Sequence, residues 1–207
     1  MNIGKNRVSR STVVGANLAP SLSTDRSSSG MFIERFTDPV VTRLQKRISR
    51  LAMLPSAHGE DMQILDYDVG QEYKIHPDFF QTDYLSEEDG MQRIATVIVY
   101  LNNVTFGGET VFPDGMWKDS SSFDAGKSEH VSDCAQSQLS TRPMLGDAVI
   151  FWSLTPANIE DYASYHKSCP VVEGDKWVAT TWFHINRTKH HEDRPRTSFF
   201  IGGLWSV

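Results

Sequence analysis

The stretch "DYDVGQEYKIHPDFF", residues 66–80, places His76 and Asp78 two positions apart. In an extended chain, residues i and i+2 point to the same face with backbones about 6–7 Å apart. One imidazole nitrogen and one carboxylate oxygen can then be aimed at a common point, as two ligands of one metal. The pair alone is a weak signal, because His-x-Asp arises often by chance. His166, 90 residues further on in another strand-like segment, offers a third ligand. Two histidines and one carboxylate on one face of a metal are the ligand set of a non-haem iron(II) oxygenase, with three adjacent positions left open for a co-substrate and dioxygen. Hydrolysis at a zinc ion held by the same three residues is the alternative chemistry.

Lys176 follows His166 by ten residues, at the start of "KWVATTWFHI". Strand alternation puts Lys176, Val178, Thr180, Trp182 and His184 on one face. Trp177, Ala179, Thr181, Phe183 and Ile185 share the other, which is apolar and suits packing against a second layer. Lys176 and Trp182 therefore point toward the interior of a barrel. A buried lysine is costly unless it is paired, and a dicarboxylate substrate supplies such a partner.

The elements that must position these residues are mostly short strands. "TDPVVTRLQKRISRLAMLP" (37–55) is the clearest helix, with Thr37 or Asp38 as its cap and Pro39 in its first turn. Val40, Val41, Leu44, Ile48 and Leu51 form its apolar stripe. From residue 61 the pattern changes. "MQILDYDV", "EYKIHPDF", "IATVIVYL", "ETVF", "DAVIFWS", "SYHKSCPV" and "KWVATTWFHI" are strand candidates, rich in β-branched and aromatic residues and bounded by Gly, Pro and Asn. "RIATVIVYL" is apolar on both alternating faces, so it lies centrally with both faces covered. The fold expected is mainly β with flanking helices: a double-stranded β-helix, or jelly roll, backed by a long helix on its N-terminal side. Pro77 has no N–H to give to a sheet, so strand pairing must break between His76 and Asp78.

Residues 1–30 are Ser-rich and read as an irregular arm. Residues 31–187 form one domain, interrupted at 118–142 by a polar stretch without alternation that reads as a flexible insertion. Residues 188–207 are a tail that fits no recognisable pattern. Composition is that of an ordinary globular chain, and the net charge of −6 argues against nucleic acid as a partner. No apolar run reaches membrane-spanning length. His58, His130, His190 and His191 read as surface residues and His184 as structural. Cys134 and Cys169 are the two cysteines, and their spacing leaves free thiols and a disulfide both open. The sequons at Asn103 and Asn186 permit glycosylation in a secretory compartment.

The ordered set "RSSSGMF", "LDYDVGQEYKIHPDFF", "QRIATVIVYLNNVTFGGETVFP", "GDAVIFWS" and "SYHKSCPVVEGDKWVATTWFH" resembles the 2-oxoglutarate- and iron(II)-dependent prolyl 4-hydroxylases of the plant and algal type, over about residues 12–187. The resemblance implies iron ligation by His76, Asp78 and His166, and pairing of Lys176 with the distal carboxylate of 2-oxoglutarate. Tyr67 and Thr110 match positions that hydrogen-bond that carboxylate. Tyr73, Arg93 and Trp182 match positions near a substrate peptide, and Arg26 falls in a segment like the family's substrate lid. It further implies Fe(II), 2-oxoglutarate and dioxygen as cofactor and co-substrates, ascorbate as an auxiliary reductant, a disulfide between Cys134 and Cys169, and the endoplasmic reticulum as compartment. The reaction implied is hydroxylation of peptidyl proline at C4 in a proline-rich substrate, with release of succinate and carbon dioxide. The same chemistry on another side chain or a free amino acid, and a binding module that keeps the fold without turnover, are the alternatives. Two departures stand out. A proline separates the two ligands where the family has an ordinary residue, and the family's N-terminal helices and strands ahead of the "STVV" segment have no counterpart here.

Overall fold

The computed structural model describes residues 8–11, 13–14, 20–21, 24–80, 92–117 and 131–188. In chain order the strands are β1 (Ser9–Arg10), β2 (Val13–Val14), β3 (Pro20–Ser21), β4 (Ser29–Ile33), β5 (Met62–Tyr67), β6 (Tyr73–His76) and β7 (Arg93–Tyr100). They continue as β8 (Phe106–Gly107), β9 (Thr110–Phe112), β10 (Leu139–Thr141), β11 (Ala148–Trp152), β12 (His166–Ser168), β13 (Val171–Glu173) and β14 (Lys176–His184). Helix α1 (Pro39–Ala52) lies between β4 and β5. It is the one α-helix among the described residues, so a single 14-residue helix stands where several flanking helices were expected. None of the described helices is long and apolar enough to cross a membrane.

Two antiparallel sheets make the jelly roll. The larger has the order β1-β4-β5-β14-β7-β11 and the smaller β10-β9-β12-β6. Strand β14 pairs with β5 on one side and β7 on the other, and its alternation divides the core. Val178 packs with Leu65, Tyr67, Ile98, Tyr100, Phe112 and Phe151 between the sheets. Ala179 and Phe183 pack with Val97, Val99, Val41 and Ile48 on the side that α1 covers. Both faces of β7 are buried, as its unbroken apolar run requires.

Asp38 caps α1: its Oδ1 accepts from the backbone N–H groups of Val40 at 2.7 Å and Val41 at 3.0 Å, two donors the helix cannot itself satisfy. Asp38→Ala is expected to cost about 1 kcal/mol of stability, read as a lower urea midpoint with an unchanged m-value. The buried line of the helix is Val41, Gln45, Ile48 and Ala52. Val40 and Leu51, assigned to the stripe from sequence, are more than half exposed. At 3.6 residues per turn they lie roughly 90–110° round from the centre of that line, on the flank of the helix.

Three further departures concern how segments were assigned, the first two in stretches read as irregular. Strand β4 joins β5 in full register, Ser29 opposite Asp66 through Ile33 opposite Met62, and β1 pairs with β4 in turn. A Cβ on Gly30 would come within 2.8 Å of Leu65 Cδ2 and Ser11 Oγ and 3.0 Å of the Ile64 carbonyl oxygen, so a side chain here would force its neighbours to shift. Residues 131–142, half of the expected insertion, are built into the fold: β10 pairs with β9, and a Cys134–Cys169 disulfide joins the preceding turn to β12's exit. The candidate "SYHKSCPV" divides at Pro170 into β12 and β13. Residues 118–130, with His130, and the tail from residue 189, with His190 and His191, lie outside the described residues. His58 is half-buried, and its Nδ1 lies 3.2 Å from the carbonyl oxygen of His184.

Candidate metal centre and anion pocket

The open end of the jelly roll brings His76, Asp78 and His166 together, with their ligand atoms all within 4.8 Å of one another. His76 and His166 are directly opposed across β6 and β12. Strand β6 ends at His76, and the four-stranded sheet has β6 at its edge. Pro77 therefore falls where no ladder bond is needed, and Asp78 reaches the site from just beyond the strand. The Nε2 atoms of His76 and His166 lie 3.8 Å and 3.6 Å from the two carboxylate oxygens of Asp78.

Each ligand atom is aimed by a partner behind it. His76 Nδ1 is 2.7 Å from the Lys74 carbonyl oxygen, and His166 Nδ1 is 3.0 Å from that of Ser164. A carbonyl can only accept, so both Nδ1 atoms carry the proton and both Nε2 lone pairs face the centre. Thr96 Oγ1 donates to Asp78 Oδ2 at 2.6 Å. The Tyr73 ring stacks on His76 at 3.6 Å between centroids, and the Arg26 guanidinium lies over the other part of that assembly, 4.8 Å from the Tyr73 ring. Burial, then the neighbouring His166, push His76 down to about 3 against the pull of Asp78. Burial alone would raise Asp78, but His166, His76, Arg93 and the Thr96 hydroxyl bring it net below its ordinary value. The set is two imidazoles that present Nε2 and one carboxylate held below its ordinary range, a donor set that fits Fe(II) with open positions.

Lys176 occupies the deep end of the same pocket. It is 2% exposed, and its Nζ donates to Ser168 Oγ at 2.7 Å. The Nζ also sits 5.2 Å from the Tyr67 ring centroid and 5.8 Å from that of Tyr100. No carboxylate forms an ion pair with it among the described residues. Burial lowers its pKa from 10.5 to about 7, with Glu109 opposing the shift. An ammonium has three N–H donors, so donors remain for an anion. Thr110 faces it from β9, its Oγ1 accepting from Tyr100 OH at 2.8 Å.

Nine of the ten residues singled out in the sequence line this pocket: Arg26, Tyr67, Tyr73, His76, Asp78, Thr110, His166, Lys176 and Trp182. Arg93 does not. Its guanidinium is engaged by Glu60, Nε to Oε1 at 2.6 Å and Nη2 to Oε2 at 3.0 Å, and it covers the Trp182 ring at 4.2 Å. It braces Trp182 rather than offering a free charge. His184 Nε2 meets the same Glu60 carboxylate at 2.7 Å. Burial alone would raise Glu60, but Arg93 and His184 hold it down to about 2. Its contribution to stability is thus complete above its ordinary pKa of 4.5 and is lost as pH falls toward 2. Glu60→Gln, which strands the buried Arg93 charge, is expected to cost about 3 kcal/mol at neutral pH and to flatten the acid limb of a stability–pH profile.

Sequence reasoning missed Thr96, Glu60 and Ser168. Ser168 alone carried a local signal, since it sits two residues after His166 and must share its face. Thr96 and Glu60 reach their partners only through the sheet.

The family model for the 2OG-Fe(II) oxygenase superfamily matches residues 62–184. The chain belongs to that superfamily. The matched span runs from β5 through the end of β14 and so contains the whole pocket apart from Arg26. As a 2OG-Fe(II) oxygenase the chain is 41% identical over 187 residues to prolyl 4-hydroxylase 2 of Arabidopsis thaliana, which covers 90% of this chain and 62% of that protein. It is 40% identical over 190 residues to prolyl 4-hydroxylase 5 of the same plant, 91% of this chain and 64% of that one. The chain therefore spans less than two thirds of the length of these curated relatives. Among solved structures, the viral collagen prolyl hydroxylase of Paramecium bursaria Chlorella virus-1, in its 2OG complex, shares the fold at a TM-score of 0.57 and 22% identity, covering 77% of this chain and 80% of that one. A Trichoplax adhaerens prolyl hydroxylase in complex with a peptide fragment of the hypoxia inducible factor oxygen degradation domain matches at a TM-score of 0.57 and 15% identity, over 86% and 70% of the two chains. The family places Fe(II), 2-oxoglutarate and dioxygen in the chemistry of this fold.

Proposed function

We propose that this chain is the catalytic domain of a prolyl 4-hydroxylase, which hydroxylates peptidyl proline at C4 and converts 2-oxoglutarate and dioxygen to succinate and carbon dioxide. The observation that carries this reading is the buried Lys176 in one pocket with His76, Asp78 and His166. A pocket with only the metal ligands would fit many substrates. One with a desolvated cation at its far end selects a co-substrate with a second carboxylate.

His76, Asp78 and His166 would hold Fe(II), which supplies dioxygen activation coupled to oxidative decarboxylation of 2-oxoglutarate. Lys176, with the Tyr67 and Thr110 hydroxyls beside it, would orient the distal carboxylate and so fix which end of the molecule meets the metal. The apolar walls Leu65, Ile98 and Val178 exclude water around it. Toward the pocket mouth, Arg26, Tyr73 and Trp182 would receive the peptide. The Trp182 Nε1 is buried with no hydrogen-bond partner among the described residues, a donor suited to a peptide carbonyl. The 40% relatives named prolyl 4-hydroxylases support proline as the target residue, and a proline-rich segment, held extended by its own rings, fits such a mouth. The disulfide favours an oxidising compartment such as the endoplasmic reticulum lumen.

The test is incubation with iron(II), 2-oxoglutarate, ascorbate and a panel of proline-rich peptides, following succinate and peptide mass together. Succinate matched by the gain of one oxygen on proline is the expected result. Coupled turnover only with other side chains or free amino acids would move the assignment to another substrate. Absence of turnover with every substrate, including after the additional region present in the longer relatives is supplied, would overturn the enzymatic reading.

A further inference from the structure

The turn Gly107-Gly108-Glu109-Thr110, which carries the chain from β8 to β9, packs against the stem of Lys176 at Gly108. Gly107 and Gly108 have φ of +81° and +68°, and a Cβ on Gly108 would stand 3.2 Å from Lys176 Cδ. Glu109 then turns away from the pocket and is 2% exposed. Its carboxylate is closed off by one residue of the turn that precedes β10: Ser132 N–H donates to Oε1 at 2.8 Å and Ser132 Oγ to Oε2 at 2.7 Å. Its backbone carbonyl accepts from Cys169 N–H at 2.9 Å. Two residues past Ser132, Cys134 is bonded to Cys169, and the Cys134 carbonyl takes Lys167 Nζ at 3.1 Å. Val111, Ala135 and Cys169 form a small closed core under this turn.

All these ties converge on two strands that present pocket groups on their opposite side. Thr110 and Ser168 are register partners across β9 and β12, and Ser168 is the residue bonded to Lys176. A buried carboxylate with two donors from one residue is a rigid joint, because each alternative position leaves a buried polar atom unmatched.

We propose that the turn 131–138, clamped by its disulfide and by the Glu109–Ser132 joint, is a positioning element of the co-substrate pocket, fixing Thr110, Ser168 and Lys176 relative to one another and so setting affinity for the distal carboxylate of 2-oxoglutarate. This rests on the reading that the Lys176 end receives that carboxylate. Glu109 and Ser132 act through Lys176, Thr110 and Ser168 and touch no substrate themselves. The field of Glu109 also favours the charged form of Lys176.

The experiment measures two dissociation constants on the intact chain: iron(II) alone, and 2-oxoglutarate on the iron(II) protein without oxygen, through the charge-transfer absorbance of the complex. Ser132→Ala, and the wild type under reductant, are expected to weaken 2-oxoglutarate binding about tenfold while iron(II) affinity stays within about twofold of wild type. Ser132→Thr, which keeps the hydroxyl, restores binding. Because these are the chain's two cysteines, reductant acts on this bridge alone, and Cys134→Ser should be indifferent to it. Unchanged 2-oxoglutarate affinity in both Ser132→Ala and the reduced protein overturns the proposal. So does a parallel loss of iron(II) affinity, which marks general loosening. If Cys134→Ser does not fold, those two arms still decide. A wild type that binds no 2-oxoglutarate at all would instead overturn the functional reading, together with this inference that depends on it.

Discussion

His166→Ala is expected to abolish turnover, with succinate formation falling at least about a thousandfold and iron(II) affinity falling with it. His166 would supply one of the three proposed ligands, and its Nε2 is pre-aimed by the Nδ1–H bond to Ser164. Without it a histidine and a carboxylate remain, on an edge strand and the bend beyond it, and two ligands hold the ion too weakly to survive dilution. The ring also packs against Phe151 at 4.6 Å and Phe112 at 5.9 Å between centroids. Some stability is therefore lost too, and circular dichroism on the variant separates this from loss of metal. A variant that kept full coupled turnover would show that the three residues are not the ligand set.

Lys176→Met separates stability from function in the opposite sense. Unliganded, the wild type buries a cation against one hydroxyl, so the apolar replacement is expected to raise stability at neutral pH by about 1–4 kcal/mol. Its 2-oxoglutarate affinity should fall by roughly two orders of magnitude, the equivalent of about 3 kcal/mol. The pH dependence follows from the direction of the shift. Lys176 has a folded pKa of about 7 against 10.5 for the free side chain. Below pH 7 it is protonated in both folded and unfolded chains, and the folded state bears the full cost of the buried charge. Between about 7 and 10.5 the folded state releases the proton and the unfolded state keeps it, so wild-type stability rises with pH relative to Lys176→Met. Binding of 2-oxoglutarate needs the ammonium and weakens over the same interval. Urea unfolding and titrations at several pH values read both slopes. Parallel stability profiles for the two proteins would exclude a buried, charge-shifted lysine.

The residues proposed to do the chemistry were legible because each belongs to a short local pattern. His76 and Asp78 are two apart, Lys176 follows His166 by ten, and β14 alternates cleanly enough to show which way Lys176 and Trp182 face. The residues that hold them were not legible, because their partners are distant in sequence. Thr96 reaches Asp78 across 18 positions and Glu60 reaches His184 across 124. Arg93 was assigned to the substrate because it matches a family position near the peptide. Glu60, on no recognisable motif, had already claimed it. The same physics explains the fold errors. Residues 131–142 show no alternation because a disulfide and a buried carboxylate hold them, not a two-faced strand. On α1 the buried Gln45 stands where an apolar stripe had implied Leu51.

The opposition of His76 and His166 across β6 and β12 has a thermodynamic consequence. Strand β6 is short, closes the order of its sheet and is followed at once by Pro77, and its outer side is held by a single bridge, Arg26 to Tyr73, flanked by the Lys74 N–H to Asp25 and Ser27 N–H to Glu72 backbone bonds. An ion held by both imidazoles and by Asp78 would join β6 to β12 from the side-chain face. Any species bound only by the folded chain shifts the unfolding equilibrium by mass action. The unfolding temperature should therefore climb with the logarithm of free iron(II) once the site is saturated. Amide hydrogen exchange, protease resistance and local opening of β6 should then depend on metal supply.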